Sequence, residues 1–239
     1  MALVWIAAAG TGGHVFPGLA VAEELIKQGH QLLWLGTKNG IENNIIAKLD
    51  IDLQQIAAKP LRGTGFFGCC FAGLSLFVAI LQVFLLMLKN KPEVVLVMGG
   101  YVSAPVGLVA KIMGVRLALH EQNAVPGLAN KLLFRHADIV FSAFEGAFVA
   151  ANKVKIVGNP VRANIAQVVR SKNTDANKRL RCLILGGSQG AKALNQKVLA
   201  AWLSMPLALR PLLWHQVGAK DELFYANKYG DESATLVTV

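Results

Sequence analysis

The sequence predicts an α/β chain built on parallel sheets, for three reasons. Short apolar runs alternate with helix-spaced segments. The runs end in glycines three times, at Gly10–Gly13, Gly99-Gly100 and Gly186–Gly190. The opening strand–glycine–helix pattern returns near Cys182, which predicts a second α/β domain after a polar, charged stretch over Ser171–Arg179. Buried strands separated by helices pair through crossovers, giving a parallel sheet covered on both faces.

The elements follow in order. Leu3–Ala8 is the first strand. Pro17 suits the first turn of a helix, and Leu19, Ala22 and Ile26 give helical spacing over Gly18–Gln28, which Gly29 stops. Gln31–Leu35 and Asp52–Ile56 read as strands flanking a helix over Ile41–Lys48. A long uncharged run, Phe66–Leu88, precedes a strand at Val94–Val97. Pro105–Met113 and Leu128–Arg135 read as helices, and Leu117–His120, Ile139–Phe141 and Lys155–Val157 as strands. Beyond Gly158-Asn159-Pro160, strands are expected at Cys182–Leu185, Leu212–Gln216 and Thr235–Val239. Helices are expected at Ala191–Leu203 and Glu222–Lys228. The domains are set at residues 1–162 and 163–239. About three strands is few for a second domain of this class, so it is expected to be incomplete.

Composition narrows the function. With 54% apolar residues the chain is not intrinsically disordered. Three cysteines, two of them adjacent and none in a C-x-x-C pair, fit reduced thiols in a cytoplasmic setting and give no metal cage. The net charge of +10 is uneven. Residues 1–150 carry 11 basic and 9 acidic side chains, whereas residues 151–239 carry 13 and 5. A basic surface of this kind attracts phosphates or an anionic membrane. A nucleic-acid partner is not expected, because aromatic interleaving and a known binding-module signature are both missing.

The glycine turns point to phosphate chemistry. Glycine lets a ligand approach backbone amides, and a helix beginning just after it presents unpaired N–H groups and a positive dipole end. The dinucleotide fingerprint fits poorly, since Val15 stands where the third glycine belongs and no acid follows at Leu35-Gly36-Thr37-Lys38. A Walker motif is missing as well. Gly186-Gly187-Ser188-Gln189-Gly190 has the form of a nucleophile elbow. A hydrolase then needs an acid between Ser188 and the sole downstream histidine, His215, and that stretch contains none.

Five ordered blocks resemble the MurG family, the N-acetylglucosaminyltransferases that form lipid II in peptidoglycan synthesis. They are Gly10-Thr11-Gly12-Gly13-His14-Val15-Phe16-Pro17-Gly18, Met98-Gly99-Gly100-Tyr101-Val102-Ser103, His120-Glu121-Gln122-Asn123, Val157-Gly158-Asn159-Pro160-Val161-Arg162 and Gly186-Gly187-Ser188-Gln189-Gly190-Ala191. The resemblance implies a GT-B fold of two Rossmann-like, doubly wound domains. It implies inverting transfer of N-acetylglucosamine from UDP-N-acetylglucosamine to the C4 hydroxyl of the muramyl sugar on lipid I, without a bound metal or other cofactor. The implied location is peripheral, at the cytoplasmic face of the inner membrane. The family's later Ala-Leu-Thr-x-x-Glu and Gln-rich donor segments lie beyond Val239, so the chain is expected to be C-terminally truncated. The competing expectation is a catalytically silent module that binds lipid I or the membrane surface.

Site residues carry over position by position. His14 is the implied general base, its ring kept neutral by the helix N-terminus and able to take the acceptor proton. Thr11, Gly12, Gly13, Asn123, Arg162 and Ser188 are the donor and substrate contacts, with Arg162 and Ser188 on the diphosphate. Tyr101, Ser103 and Glu121 are acceptor-side candidates. The apolar run reads as a membrane span, a buried helix or a helix lying in the interface plane. A span would separate strands that must pair in one sheet, and the resemblance favours the interface. Phe66, Phe67, Phe71, Leu74, Phe77 and Phe84 are then the lipid-facing candidates, bracketed by Lys59, Arg62, Lys89 and Lys91.

Overall fold

The computed structural model describes residues 1–49, 51–59, 66–149, 151–168, 180–186, 190–230 and 234–236. They form two compact units, Met1–Val168 and Val169–Val239.

The first unit is a parallel seven-stranded sheet. Its strands are β1 (Leu3–Ala7), β2 (Gln31–Gly36), β3 (Asp52–Gln55), β4 (Val94–Val97), β5 (Arg116–Glu121), β6 (Ile139–Ser142) and β7 (Val154–Ile156). Their spatial order is β3-β2-β1-β4-β5-β6-β7. The chain winds outward from β1 one way, then returns to β4 and winds the other way. The strand order therefore reverses between β1 and β4, where ligands of open α/β sheets bind.

The two-residue period of a strand decides what each face buries. Trp5, Ala7, Val95, Val97, Leu117 and Leu119 share one cluster with Ala79, Val83 and Met87 of α3 (Phe66–Lys89) and Val106, Val109 and Ala110 of α4 (Ser103–Ile112). Leu133 of α5 (Leu128–Leu133) joins them. Val4, Ile6, Leu96 and Ala118 point the other way, onto Val15, Leu19 and Ala22 of α1 (Gly12–Lys27) and Ile46 of α2 (Glu42–Ile46). Both faces are covered, which is why these strands read as unbroken apolar runs rather than alternating ones.

Two helix starts differ from expectation. α1 begins at Gly12, so Pro17 lies inside it, in the second turn, and leaves the Gly13 carbonyl without its usual N–H partner. Burial of Val15 and Leu19 against the sheet outweighs the poor helix propensity of Gly12, Gly13 and Pro17. α4 begins at Ser103, two residues before Pro105. A short helix, α6 (Ala163–Ala166), had no periodic signal.

α3 fills the long uncharged run. Ala79, Val83 and Met87, spaced by four, face the core. Phe84 also packs against the core, a correction to its lipid-facing assignment. On a helix apolar all round, spacing alone does not say which side is inside. Leu74 (62% exposed) and Phe77 (64%) do face outward, with Leu81, Leu85 and Leu88. Phe66, Phe67 and Phe71 belong to α3, but their side chains lie outside the described residues, as does Arg62. Among the described residues no helix is long and apolar enough to cross a membrane.

The second unit is a smaller parallel sheet, β8 (Arg181–Leu185), β9 (Leu212–Gln216) and β10 (Ala234–Leu236), with β9 central. Helices α7 (Lys192–Ser204) and α8 (Glu222–Tyr229) contribute Trp202, Tyr225 and Tyr229 to its core, against Leu213 and Val217. A 3-10 turn at Leu207–Leu209 was not expected.

Candidate active site

Two of the glycine turns flank the β1/β4 switch point. Gly10 leaves β1 with φ +89°, and Gly99 and Gly100 leave β4 at +94° and +80°, a region L side chains avoid. Thr11 is the N-cap of α1, in extended conformation, and its carbonyl accepts the N–H groups of His14 and Val15 at 3.1 Å each. Its hydroxyl does not cap the helix. It lies 2.9 Å from His14 Nδ1 instead.

The His14 ring lies across the glycine pair. A Cβ at Gly99 would stand 3.0 Å from His14 Cδ2 and 3.1 Å from Nε2, so the turn needs glycine for both its backbone and this ring. Burial pushes the imidazole below its ordinary value of 6.5, against the opposing pull of the Glu121 charge. The leading cause is burial, where the sequence pointed to the helix terminus. The site therefore holds a neutral imidazole packed on the Gly99-Gly100 turn.

Glu121, at the end of β5, is almost fully buried and fully hydrogen-bonded. Its Oε1 accepts the Asn123 N–H and the Asn123 Nδ2 amide, both at 2.9 Å. Its Oε2 accepts Gly127 N–H and Asn130 Nδ2, both at 3.0 Å. Glu121 thus shapes the loop that presents the exposed Asn123, rather than offering a free carboxylate. Ser103 is likewise turned inward. Its buried hydroxyl donates to the Gly99 carbonyl (2.8 Å) and accepts the Gly99 N–H (2.9 Å). Its place is in the glycine turn, a correction to its role as an acceptor contact. Tyr101 packs its ring over Gly10 and brings its hydroxyl to 3.3 Å from Thr37 Oγ1.

Arg162 stacks its guanidinium 4.5 Å from the centroid of the Phe16 ring, and Phe16 in turn covers Gly12. Ser188 lies outside the described residues. Among those described, no group of three or more His, Cys, Asp or Glu is arranged to hold a metal ion. A cleft of about 360 Å³ between α1 and Pro160–Ala163 contains neither His14 nor the glycine turns.

Three residues escaped the sequence reading. Glu42 is completely buried behind the first glycine turn. Asn130 donates to His120 O and Glu121 from α5. Phe16 forms the shelf under Arg162. Only Glu42 left a signal, as an acid at a helix start just after Gly36 and Gly40.

Comparison with known proteins bears on the fold and the family. A curated UDP-N-acetylglucosamine–N-acetylmuramyl-(pentapeptide) pyrophosphoryl-undecaprenol N-acetylglucosamine transferase of Cellvibrio japonicus is 43% identical over 220 residues, covering 90% of this chain and 61% of its own. The Vibrio cholerae transferase of the same name is 43% identical over 234 residues, covering 96% of this chain and 65% of its own. The chain thus spans about three fifths of the length of the curated relatives it matches. The crystal structure of Acinetobacter baumannii MurG superposes with a TM-score of 0.71 at 34% identity, over 100% of this chain and 66% of that one. A UDP-GlcNAc 2-epimerase from Methanocaldococcus jannaschii, with TM-score 0.63 and 17% identity over 100% of this chain and 73% of its own, shares the fold. Residues 4–142, which hold the whole β1/β4 crevice and His14, match the glycosyltransferase family 28 N-terminal domain, and the chain belongs to that family.

Proposed function

We propose that the chain carries out the lipid II-forming reaction: inverting transfer of N-acetylglucosamine from UDP-N-acetylglucosamine to the C4 hydroxyl of lipid I. The observation that carries this reading is the His14 ring, neutral and laid over Gly99-Gly100, where the strand order reverses. In the step, the C4 hydroxyl oxygen bonds the anomeric carbon as that carbon's bond to the UDP oxygen breaks. UDP leaves with the bonding pair, and the hydroxyl proton passes to His14. For this, Nδ1–H donates to Thr11 Oγ1, and the Nε2 lone pair takes the proton.

The other residues divide the substrates between them. Thr11, Gly12 and Gly13 present the start of α1 to a diphosphate. Asn123 offers an exposed side chain to the donor sugar, and Arg162, held on Phe16, pairs with the donor diphosphate. Ser188 is assigned to the same diphosphate by its motif, and Tyr101 to the acceptor side. By the resemblance, the first unit is assigned to the acceptor and the second to the donor.

The outward face of α3 is proposed to rest on an anionic membrane surface. Leu74, Phe77, Leu81, Leu85 and Leu88 are exposed along one side of a helix whose flanking Lys59, Lys89 and Lys91 are also exposed. Apolar and cationic groups in this arrangement suit the headgroup boundary. Peripheral attachment is proposed on this face, at the cytoplasmic side of the inner membrane as the family resemblance implies.

The test offers radiolabelled UDP-N-acetylglucosamine and a lipid I analogue to the chain, with anionic vesicles present. Label entering the lipid fraction, and lost in His14→Ala with vesicle binding unchanged, is the expected result. Vesicle binding without label transfer by the unsubstituted chain would leave only a silent membrane module.

A further inference from the structure

Glu42 is a carboxylate taken wholly out of water, and it forms no ion pair with any described Lys, Arg or His. Burying such a group costs several kcal/mol unless its oxygens are well matched by donors. Here three donors meet it. Oε1 accepts the Thr37 N–H (2.8 Å) and the Thr37 hydroxyl (3.1 Å), and Oε2 accepts the Gly10 N–H (3.2 Å). Because the Thr37 hydroxyl donates to Glu42, the Tyr101 hydroxyl donates to Thr37 Oγ1. Two glycines clear the space. A Cβ at Gly36 would stand 2.7 Å from Glu42 Cγ, and one at Gly40 would overlap the carboxylate itself. Every donor converges on the acid, and one of them is the residue from which the His14 loop departs.

We propose that Glu42 is a positioning residue: its carboxylate fixes Gly10, and through Gly10 the pairing of Thr11 Oγ1 with His14 Nδ1. It touches no substrate. Both oxygens must accept, so an amide at this position turns an NH₂ toward one of the donors. The least costly arrangement keeps the amide oxygen on the two Thr37 donors and sets the NH₂ against Gly10 N–H. Glu42→Gln therefore breaks the Gly10 arm while keeping the side-chain volume. Thr37→Val removes the hydroxyl arm and leaves the Gly10 arm intact. The other charged or titratable groups around the His14 loop are Glu121 from the end of β5, Tyr101 over Gly10 and Arg162 over Phe16. Glu121 and Arg162 bond neither Thr37 nor Glu42, and Tyr101 loses its Thr37 partner only in T37V.

This inference rests on His14 being the base, but its test reads the ring directly. Ring ¹⁵N shifts of His14, recorded in the whole chain above its titration, report which nitrogen holds the proton. One tautomer is expected in the unsubstituted protein and in T37V, and a mixture of both in E42Q. Where turnover is measurable, E42Q should lower kcat by about ten- to a hundredfold, the scale of a small misplacement in the site, with KM for the donor nearly unchanged. If E42Q fails to fold, Glu42→Asp carries the test, since it keeps the charge but draws the carboxylate back by one methylene and should also mix the tautomers. A folded E42Q or E42D with a single, unshifted tautomer overturns the proposal. Absent turnover in the unsubstituted chain, with the tautomer still sensitive to E42Q, would instead count against the transferase reading alone.

Discussion

The glycines of the Gly10–Gly13 turn and the described Gly186 and Gly190 of the second follow their strands, but they make room for different neighbours. In the first, added Cβ atoms would meet side chains: the Tyr101 ring 3.1 Å from Gly10 and the Phe16 ring 2.9 Å from Gly12. In the second they would meet backbone: the Gln216 carbonyl 2.7 Å from Gly186, and the Val217 carbonyl at Gly190. Gly186 is also held to backbone, its N–H on Gln216 O at 3.2 Å, and Asn195 of the following helix donates to Val217 O at 2.9 Å. A turn packed on side chains leaves those side chains free to be specialised. A turn packed on main chain mostly holds one strand end to another. Changes around the first should therefore alter chemistry, and changes at Gly186 or Gly190 in the second should alter folding.

His14→Ala probes the first turn and carries the largest expected effect. Loss of a general base lowers kcat by about 10²- to 10⁴-fold. His14 is only half-buried, so the thermal midpoint should move little. A large fall in midpoint would make His14 a packing residue and end the contrast. Gly190→Ala probes the second turn. It combines φ +74° with a clash against the Val217 carbonyl, and should destabilise the second unit by roughly 2–4 kcal/mol. The indole signals of Trp202 and Trp214 should lose dispersion at lower denaturant, while those of Trp5 and Trp34 hold. Equal loss in both sets would mean the units do not unfold separately.

Each unit has an acid response of its own, and in the second it can be traced to one pair. His215 is fully buried in β9, with Nδ1 2.7 Å from the Tyr229 hydroxyl. Burial lowers the His215 pKa below 6.5 and, as the first cause, raises that of Tyr229 to about 12. Tyr229 is therefore the donor and His215 the neutral acceptor. Below about pH 6.5 the unfolded chain takes up this proton more readily than the folded one, so stability falls with pH by up to about 1.4 kcal/mol per unit. The fall ends at the depressed folded pKa. Replacing both partners, as His215→Phe with Tyr229→Phe, avoids stranding either group and should flatten this slope for the Trp202 and Trp214 signals. A slope that persists would place the proton uptake elsewhere in the unit.

Local pattern made the sheet legible, and long-range packing concealed much of the site. Val94–Val97 and Leu212–Gln216 were read with both ends in place; the first is an apolar run ended by Gly99-Gly100, and the second lies between Pro211 and Gly218. The start of α1 was misread at Gly18, since the residues opening the helix are poor helix formers held by the sheet beneath them. The place of His14 at the glycine turn was legible from its motif. The partners of Glu42 and Asn130 were not, because their hydrogen bonds to Gly10 and Glu121 span 32 and 9 residues and follow from strand order rather than spacing. The inward turn of Ser103 is a case of the same kind. Its contact with Gly99, four residues back, exists only because α4 starts earlier than Pro105 suggests.

The smallest expected effect lies at Phe16, and it sharpens the contrast because the residue belongs to the first turn without sharing in proton transfer. Its ring covers Gly12 and supports Arg162 at 4.5 Å, a cation–π contact of about 0.5–1 kcal/mol where partly exposed. Phe16→Ala removes the shelf but keeps the Arg162 charge. If Arg162 meets the donor diphosphate, its guanidinium then has more freedom to lose on binding. The donor KM should rise by roughly two- to fivefold, and kcat should hold. Phe16→Trp keeps an aromatic face and should restore the KM. A kcat loss in F16A comparable to that of His14→Ala would mean that the shelf shapes the base as well, and that the first turn behaves as one indivisible unit.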